Sequence, residues 1–150
     1  MKFTPLRLAL AAATAAVFAA GSALAQAPIV IKFSHVVAPD TPKGKGAEKF
    51  KELAEAKLKG KVKVEVYPNS QLYKDGEEME ALSLGSVQML APSLAKFGPL
   101  GVREFEVFDL PFMFDSYAEL HKVTGGPAGA ALLKKLEPKG IVGLAYWDNG

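Results

Sequence analysis

The side chains able to do chemistry in this sequence are few, and most of them suit the holding of a charged molecule. His35, Lys43, Ser93, Trp147 and Asn149 offer, in order, an imidazole, an ammonium, a hydroxyl, an indole and a carboxamide. None of them stands in a spacing that marks a nucleophile–base pair. There is no phosphate-loop pattern, no Gly-x-Ser-x-Gly and no His-Glu-x-x-His. Gly44-Lys45-Gly46 begins like a dinucleotide fingerprint, but position 49 is Lys where the third glycine belongs. His35 and His121 are too far apart to show a metal-ligand spacing.

Elements must bring such residues together. Residues 29–34 read as a strand with Ile29, Ile31 and Phe33 on one face, ending at His35. Thr41-Pro42 is a helix start, with Thr as N-cap and Pro at the first helical position. That helix is expected to reach residue 58, burying Ala47, Phe50, Leu53, Ala54 and Leu58, and to stop at Gly60. Residues 61–67 alternate, with Val62, Val64 and Val66 inward. Asp75 and Glu78 stand at capping-box spacing ahead of a second helix, with Met79 and Leu82 inward. Residues 87–90 form a short apolar strand. Strand, helix, strand, helix, strand implies a parallel sheet with right-handed crossovers.

Downstream, residues 105–114 are rich in aromatics, and much of this segment is expected to be buried, with Pro111 interrupting any central strand. Ser116 caps a short helix, another covers 127–137 with Leu132, Leu133 and Leu136 inward, and 141–147 reads as a last strand.

In open α/β sheets, ligands bind beyond the carboxyl ends of the strands. His35, the stretch from Ser93 to Lys96, and Trp147 to Asn149 all fall there. Each also has a plain reading: His35 as a loop histidine, Ser93 as a turn residue, Trp147 as core packing. Lys43 and Lys45 oppose the helix dipole by about 0.3–1 kcal/mol each. A solvated helix start is their default role, but lysines beside free N–H groups also build a carboxylate site.

Composition narrows the classes further. The 150 residues are 49% hydrophobic and 23% charged, ordinary for a globular domain. Lys2 and Arg7 precede an uncharged, alanine-rich run, and Ala23-Leu24-Ala25 supplies a peptidase site, so residues 1–25 are expected to be an export signal. Its removal leaves sixteen basic and sixteen acidic residues, so the basic pI is no argument for nucleic acid. The absence of cysteine excludes disulfides, thiolate metal sites and a lipidated cysteine.

Five segments in order carry a resemblance: Phe33-Ser34-His35-Val36-Val37, Tyr67-Pro68-Asn69-Ser70-Gln71-Leu72, Ala91-Pro92-Ser93, Phe108-Asp109-Leu110-Pro111-Phe112 and Tyr146-Trp147-Asp148-Asn149-Gly150. Together they resemble the DctP-type solute-binding proteins of TRAP (tripartite ATP-independent periplasmic) transporters. The resemblance implies the N-terminal lobe of a two-lobed α/β receptor of the periplasmic type II class, with a mostly parallel sheet flanked by helices. It implies a monomeric periplasmic receptor that delivers a small organic acid, a C4-dicarboxylate, to integral-membrane subunits, with no catalysis, cofactor or metal. His35, Lys43, Ser93, Trp147 and Asn149 match its ligand cleft. The family's carboxylate-clamping arginine is expected beyond Gly150, and the lobe over 26–150 is expected to end near the hinge of a longer product. Arg103 does not take that part. The competing readings are a periplasmic α/β enzyme acting on a small organic acid and a ligand sensor for a signalling partner.

Overall fold

The computed structural model describes residues 27–148. The export signal expected over 1–25, and Asn149, lie outside the described residues. The order of elements is β1 (Ile29–Ser34), α1 (Pro42–Leu58), β2 (Val62–Tyr67), α2 (Glu78–Ser83), β3 (Met89–Leu90), α3 (Tyr117–Thr124) and α4 (Pro127–Lys134). Short 3-10 helices occupy Leu94–Phe97, Arg103–Asp109 and Glu137–Lys139.

The three strands form one parallel sheet in the order β2-β1-β3, as the alternation of strands and helices requires. Ile31 pairs with Val64, Phe33 with Val66 and Met89, and Ser34 with Leu90. Because side chains alternate along a strand, Phe33 and Ser34 look to opposite sides. Phe33, Val64 and Met89 meet Ala47, Phe50 and Ala54 of α1 in one apolar cluster. Leu90 joins a second cluster, built by Met79, Phe97, Val102, Phe105, Leu136 and Ile141.

Helix α1 starts as its sequence dictates. The Thr41 hydroxyl accepts the Gly44 N–H at 3.1 Å and donates to the Ala38 carbonyl at 2.6 Å. Gly44 is required where it stands. A Cβ there would lie 2.8 Å from Pro39 Cα and closer still to the Ala38 carbonyl oxygen. Leu53 and Leu58, expected inside, are exposed. Successive helical residues are about 100° apart, which turns Leu53 off the Ala47–Ala54 stripe, and Leu58 is the last residue of the helix. Further along, the Glu55 carboxylate accepts the Val64 N–H at 2.9 Å, pinning α1 to β2.

Three other expectations are corrected. Asp75 and Glu78 form no capping box: α2 has Glu77 at its N-cap with no side-chain bond, and Glu78 turns inward. In the 105–114 segment Phe105 is fully buried, but Leu110 and Met113 are exposed and Phe112 is 98% exposed. The reason is local. Residues 103–109 coil into a 3-10 helix that ends before Pro111, and Phe112 takes a left-handed backbone (φ 59°) that swings its ring outward. Finally, 141–148 is not a strand. A strand exists only where a neighbour completes its hydrogen-bond ladder, and among the described residues none pairs with this segment. It is held by side chains instead: Tyr146 packs on Phe105 and Phe108 and donates to the Gly129 carbonyl at 2.9 Å.

Candidate ligand-binding site

The carboxyl ends of β1 and β3 lie side by side, and the start of α1 stands over them. Lys43 sits in the first turn of α1, placed by the Thr41 cap, and its Nζ donates to the carbonyl of Ala91, the residue after β3, at 3.2 Å. Trp147 closes over the same region. Its ring lies 5.8 Å from that of Phe33, centroid to centroid, and against the bare Cα of Gly46, where a Cβ would stand 3.3 Å from the indole. Gly44 and Gly46 therefore serve packing, one against the preceding loop and one against an indole. A cavity of about 630 Å³ opens here, with Phe33, Lys43, Met89, Ala91, Pro92 and Trp147 in its wall.

Beneath it is a buried polar group that sequence reasoning did not assemble. Ser34, His35 and Glu78 are almost wholly inaccessible, at 0%, 0% and 1% exposure. The Ser34 hydroxyl donates to Glu78 Oε1 at 2.9 Å. Lys96, from the 3-10 helix after β3, forms an ion pair with Asp75 beside them. Burial pushes the Glu78 carboxyl up, the Ser34 hydrogen bond opposes this, Asp75 raises it further, and Lys43 and Lys96 pull it down. Burial likewise lowers the Lys43 ammonium, with Glu78 and then Asp75 opposing. His35 is lowered chiefly by burial; the Val37 backbone opposes, Lys43 lowers it further and Glu48 raises it. The Val37 backbone influences the imidazole without bonding it: neither ring nitrogen has a partner in hydrogen-bond geometry among the described residues.

Of the residues singled out from sequence, Lys43 and Trp147 share the cavity wall. His35 lies at the end of β1 as expected, but buried, its backbone N–H donating to Tyr67 and its carbonyl accepting from Ser70. Ser93 caps the 94–97 turn with no side-chain bond to that turn and does not line the cavity. Arg103 is on the surface, paired with Glu106 at 3.5 Å. His121, too, is away from the cavity wall, its Nε2 3.0 and 3.1 Å from the two Asp148 oxygens. Glu78 had a usable signal: it shares an i, i+4 stripe with Leu82, so a helix that buries one faces the other inward too.

An ammonium bonded to a backbone carbonyl, beside an apolar wall and an aromatic cover, is an arrangement able to hold a carboxylate. Comparison with known proteins gives the family. The model of the DctP family, described as bacterial extracellular solute-binding protein, family 7, matches residues 33–150. The chain belongs to this family. It is 71% identical over 142 residues, 95% of its length and 43% of the relative's, to the C4-dicarboxylate-binding periplasmic protein DctP of Rhodobacter capsulatus. It superposes with a TM-score of 0.78, at 57% identity, on a TRAP periplasmic solute-binding protein of Pseudomonas aeruginosa PAO1 with bound L-malate, covering 82% of this chain and 42% of that one. A second, from Sulfurospirillum deleyianum with bound succinate, gives 0.77 at 50% identity, over 83% and 40% of the two chains. The chain thus spans less than half the length of the DctP-family relatives it matches.

Proposed function

We propose that this chain is the N-terminal lobe, over residues 26–150, of a periplasmic receptor that binds a C4-dicarboxylate and delivers it to the membrane subunits of a TRAP-type transporter. The observation that carries the reading is Lys43: a partly buried ammonium held at the carboxyl ends of two parallel strands, in the wall of an apolar cavity covered by Trp147. The relatives bound to malate and succinate supply the size and charge of the ligand. Residues 1–25 direct export and are removed. Lys43 meets one carboxylate, Trp147 covers the carbon chain, and His35 supports the site from beneath. Asn149 and Ser93 are further ligand residues, Ser93 reaching the ligand through a shift of the loop after β3 because it stands off the cavity wall. A second lobe closes on the ligand from the other side, as a hinged clamp. The receptor performs no chemistry on its cargo.

The test is calorimetric titration of the full-length protein with L-malate, succinate and fumarate, beside Lys43→Ala. Binding that weakens by about 1–3 kcal/mol in the variant is expected for a charge-assisted contact. Unchanged affinity would return Lys43 to the role of a surface lysine, and failure of the wild type to bind any of the three acids would overturn the ligand class.

A further inference from the structure

Two anionic groups compete for the charge of Lys43: the carboxylate that docks in the cavity and the buried carboxyl of Glu78. We propose that Glu78 is the positioning residue of the anion site, balancing Lys43 while the cleft is empty and accepting a proton from solvent when a dicarboxylate takes that charge, so that capture is coupled to proton uptake. The inference rests on the ligand class proposed above.

The geometry supports it from each side. Glu78 is 1% exposed, and its carboxyl receives one neutral hydrogen bond, from Ser34 on β1. The charged groups that face it are Lys43 of α1, Asp75 of the loop before α2 and Lys96 of the 3-10 helix after β3. Lys96 is already paired with Asp75, which leaves Lys43 as the principal counter-charge. His35, next to Ser34, is the remaining titratable group of the buried set and faces Lys43 and Glu48. A carboxylate out of water is sustained only by compensating charge and hydrogen bonds. Once a ligand carboxylate shares Lys43, only the Ser34 hydroxyl and Lys96, itself paired with Asp75, oppose burial, and burial already favours the neutral acid. The proton enters from the buffer, and the charge of the buried set changes by one unit. This gives the glutamate a reason to lie under an anion site that it would otherwise repel.

The experiment is titration of full-length protein with L-malate in buffers of different ionisation heat, over about pH 6.5 to 8.5, where both malate carboxyls are ionised. The expected result is uptake of up to about one proton per malate and a Kd that rises by up to about tenfold per pH unit across the window. Glu78→Gln should abolish the uptake and bind malate about 3–10-fold more tightly at the alkaline end, because a repelling charge is gone. Ser34→Ala, which removes the one bond favouring the charged acid, should move the uptake window to higher pH and serves if Glu78→Gln does not fold. Malate binding by the wild type without uptake anywhere in the range would overturn the proposal, as would uptake that persists in Glu78→Gln or an unmoved window in Ser34→Ala. Absence of malate binding by the wild type would instead sink the ligand class.

Discussion

The two glycines at the start of α1 make a paired experiment in which the same chemical change should act oppositely. At Gly44 an added methyl would sit 2.8 Å from Pro39 Cα and nearer still to the Ala38 carbonyl. Both obstacles are backbone, so the 38–39 loop must move, and the Thr41 cap that bonds both Ala38 and Gly44 must loosen with it. Overpacking of this sort costs about 1–3 kcal/mol, and a weakened cap adds about 1 kcal/mol. Better helix propensity returns about 1 kcal/mol. Gly44→Ala should therefore destabilise by about 1–3 kcal/mol. At Gly46 the methyl would meet only the edge of the Trp147 ring, at 3.3 Å. A side chain can give way by a few tenths of an ångström, so Gly46→Ala should be neutral or more stable by up to about 1 kcal/mol, while displacing the indole. Urea unfolding of full-length variants, with unchanged slope and shifted midpoint, reads the first effect; malate affinity and tryptophan emission read the second. A Gly44→Ala protein as stable as wild type, or a Gly46→Ala protein with unaltered affinity and emission, would refute this account of the helix start.

Phe105, fully buried and packed 4.9 Å from the Phe97 ring, should cost about 3–5 kcal/mol when replaced by Ala, measured by denaturant midpoint. Two buried groups should tilt stability against pH in opposite directions. The raised Glu78 carboxyl stabilises fully below its unfolded value and loses that contribution as pH climbs through its higher folded value, whereas the lowered His35 stabilises above its unfolded value and loses this as pH drops through its lower folded value. Thermal melts across pH should show Glu78→Gln removing a loss of stability on raising the pH above the ordinary carboxyl range, and His35→Gln removing a loss on lowering it below the ordinary imidazole range. Asp148→Asn, which breaks an exposed pair with His121, should change stability by less than about 1 kcal/mol.

Local signals spoke clearly where one short segment carried the whole cause. The Thr41-Pro42 start, the alternation of Val62, Val64 and Val66, and the Ser116 cap are such cases, and the structure has all three. The strand-helix order gave the parallel sheet for a similar reason, because parallel neighbours demand a crossover. What could not be read was whatever depended on a partner distant in sequence. Glu78 looks like a cap residue until Ser34, 44 positions earlier, is known to meet it. Residues 141–147 have strand composition, but composition supplies no neighbour. The rings of 108–114 stack in one pair, Phe108 on Phe114 at 5.9 Å, while the backbone turn at Phe112 sends another into solvent. The site followed the same division. Lys43 was legible from its place in a helix's first turn; for the carboxylate beneath it the i, i+4 relation to Leu82 could signal burial, but nothing local signalled its partners.

The bond from Val64 to Glu55 has a consequence for how copies of this chain meet. Among the described residues β2 is the outer strand of its sheet, and an outer strand presents alternate N–H groups to any extended chain that passes. Val64 is the central one of the outward set Val62, Val64 and Val66, and its donor is already taken by a carboxylate of the same molecule. A second copy trying to extend the sheet would find the row interrupted at its middle, with no pair of adjacent free donors to nucleate on. Lys61, just before the strand, and the ion pair of Lys63 with Glu65 on it add charge that an approaching chain would have to desolvate. A contact made to fasten a helix thereby also guards against polymerisation.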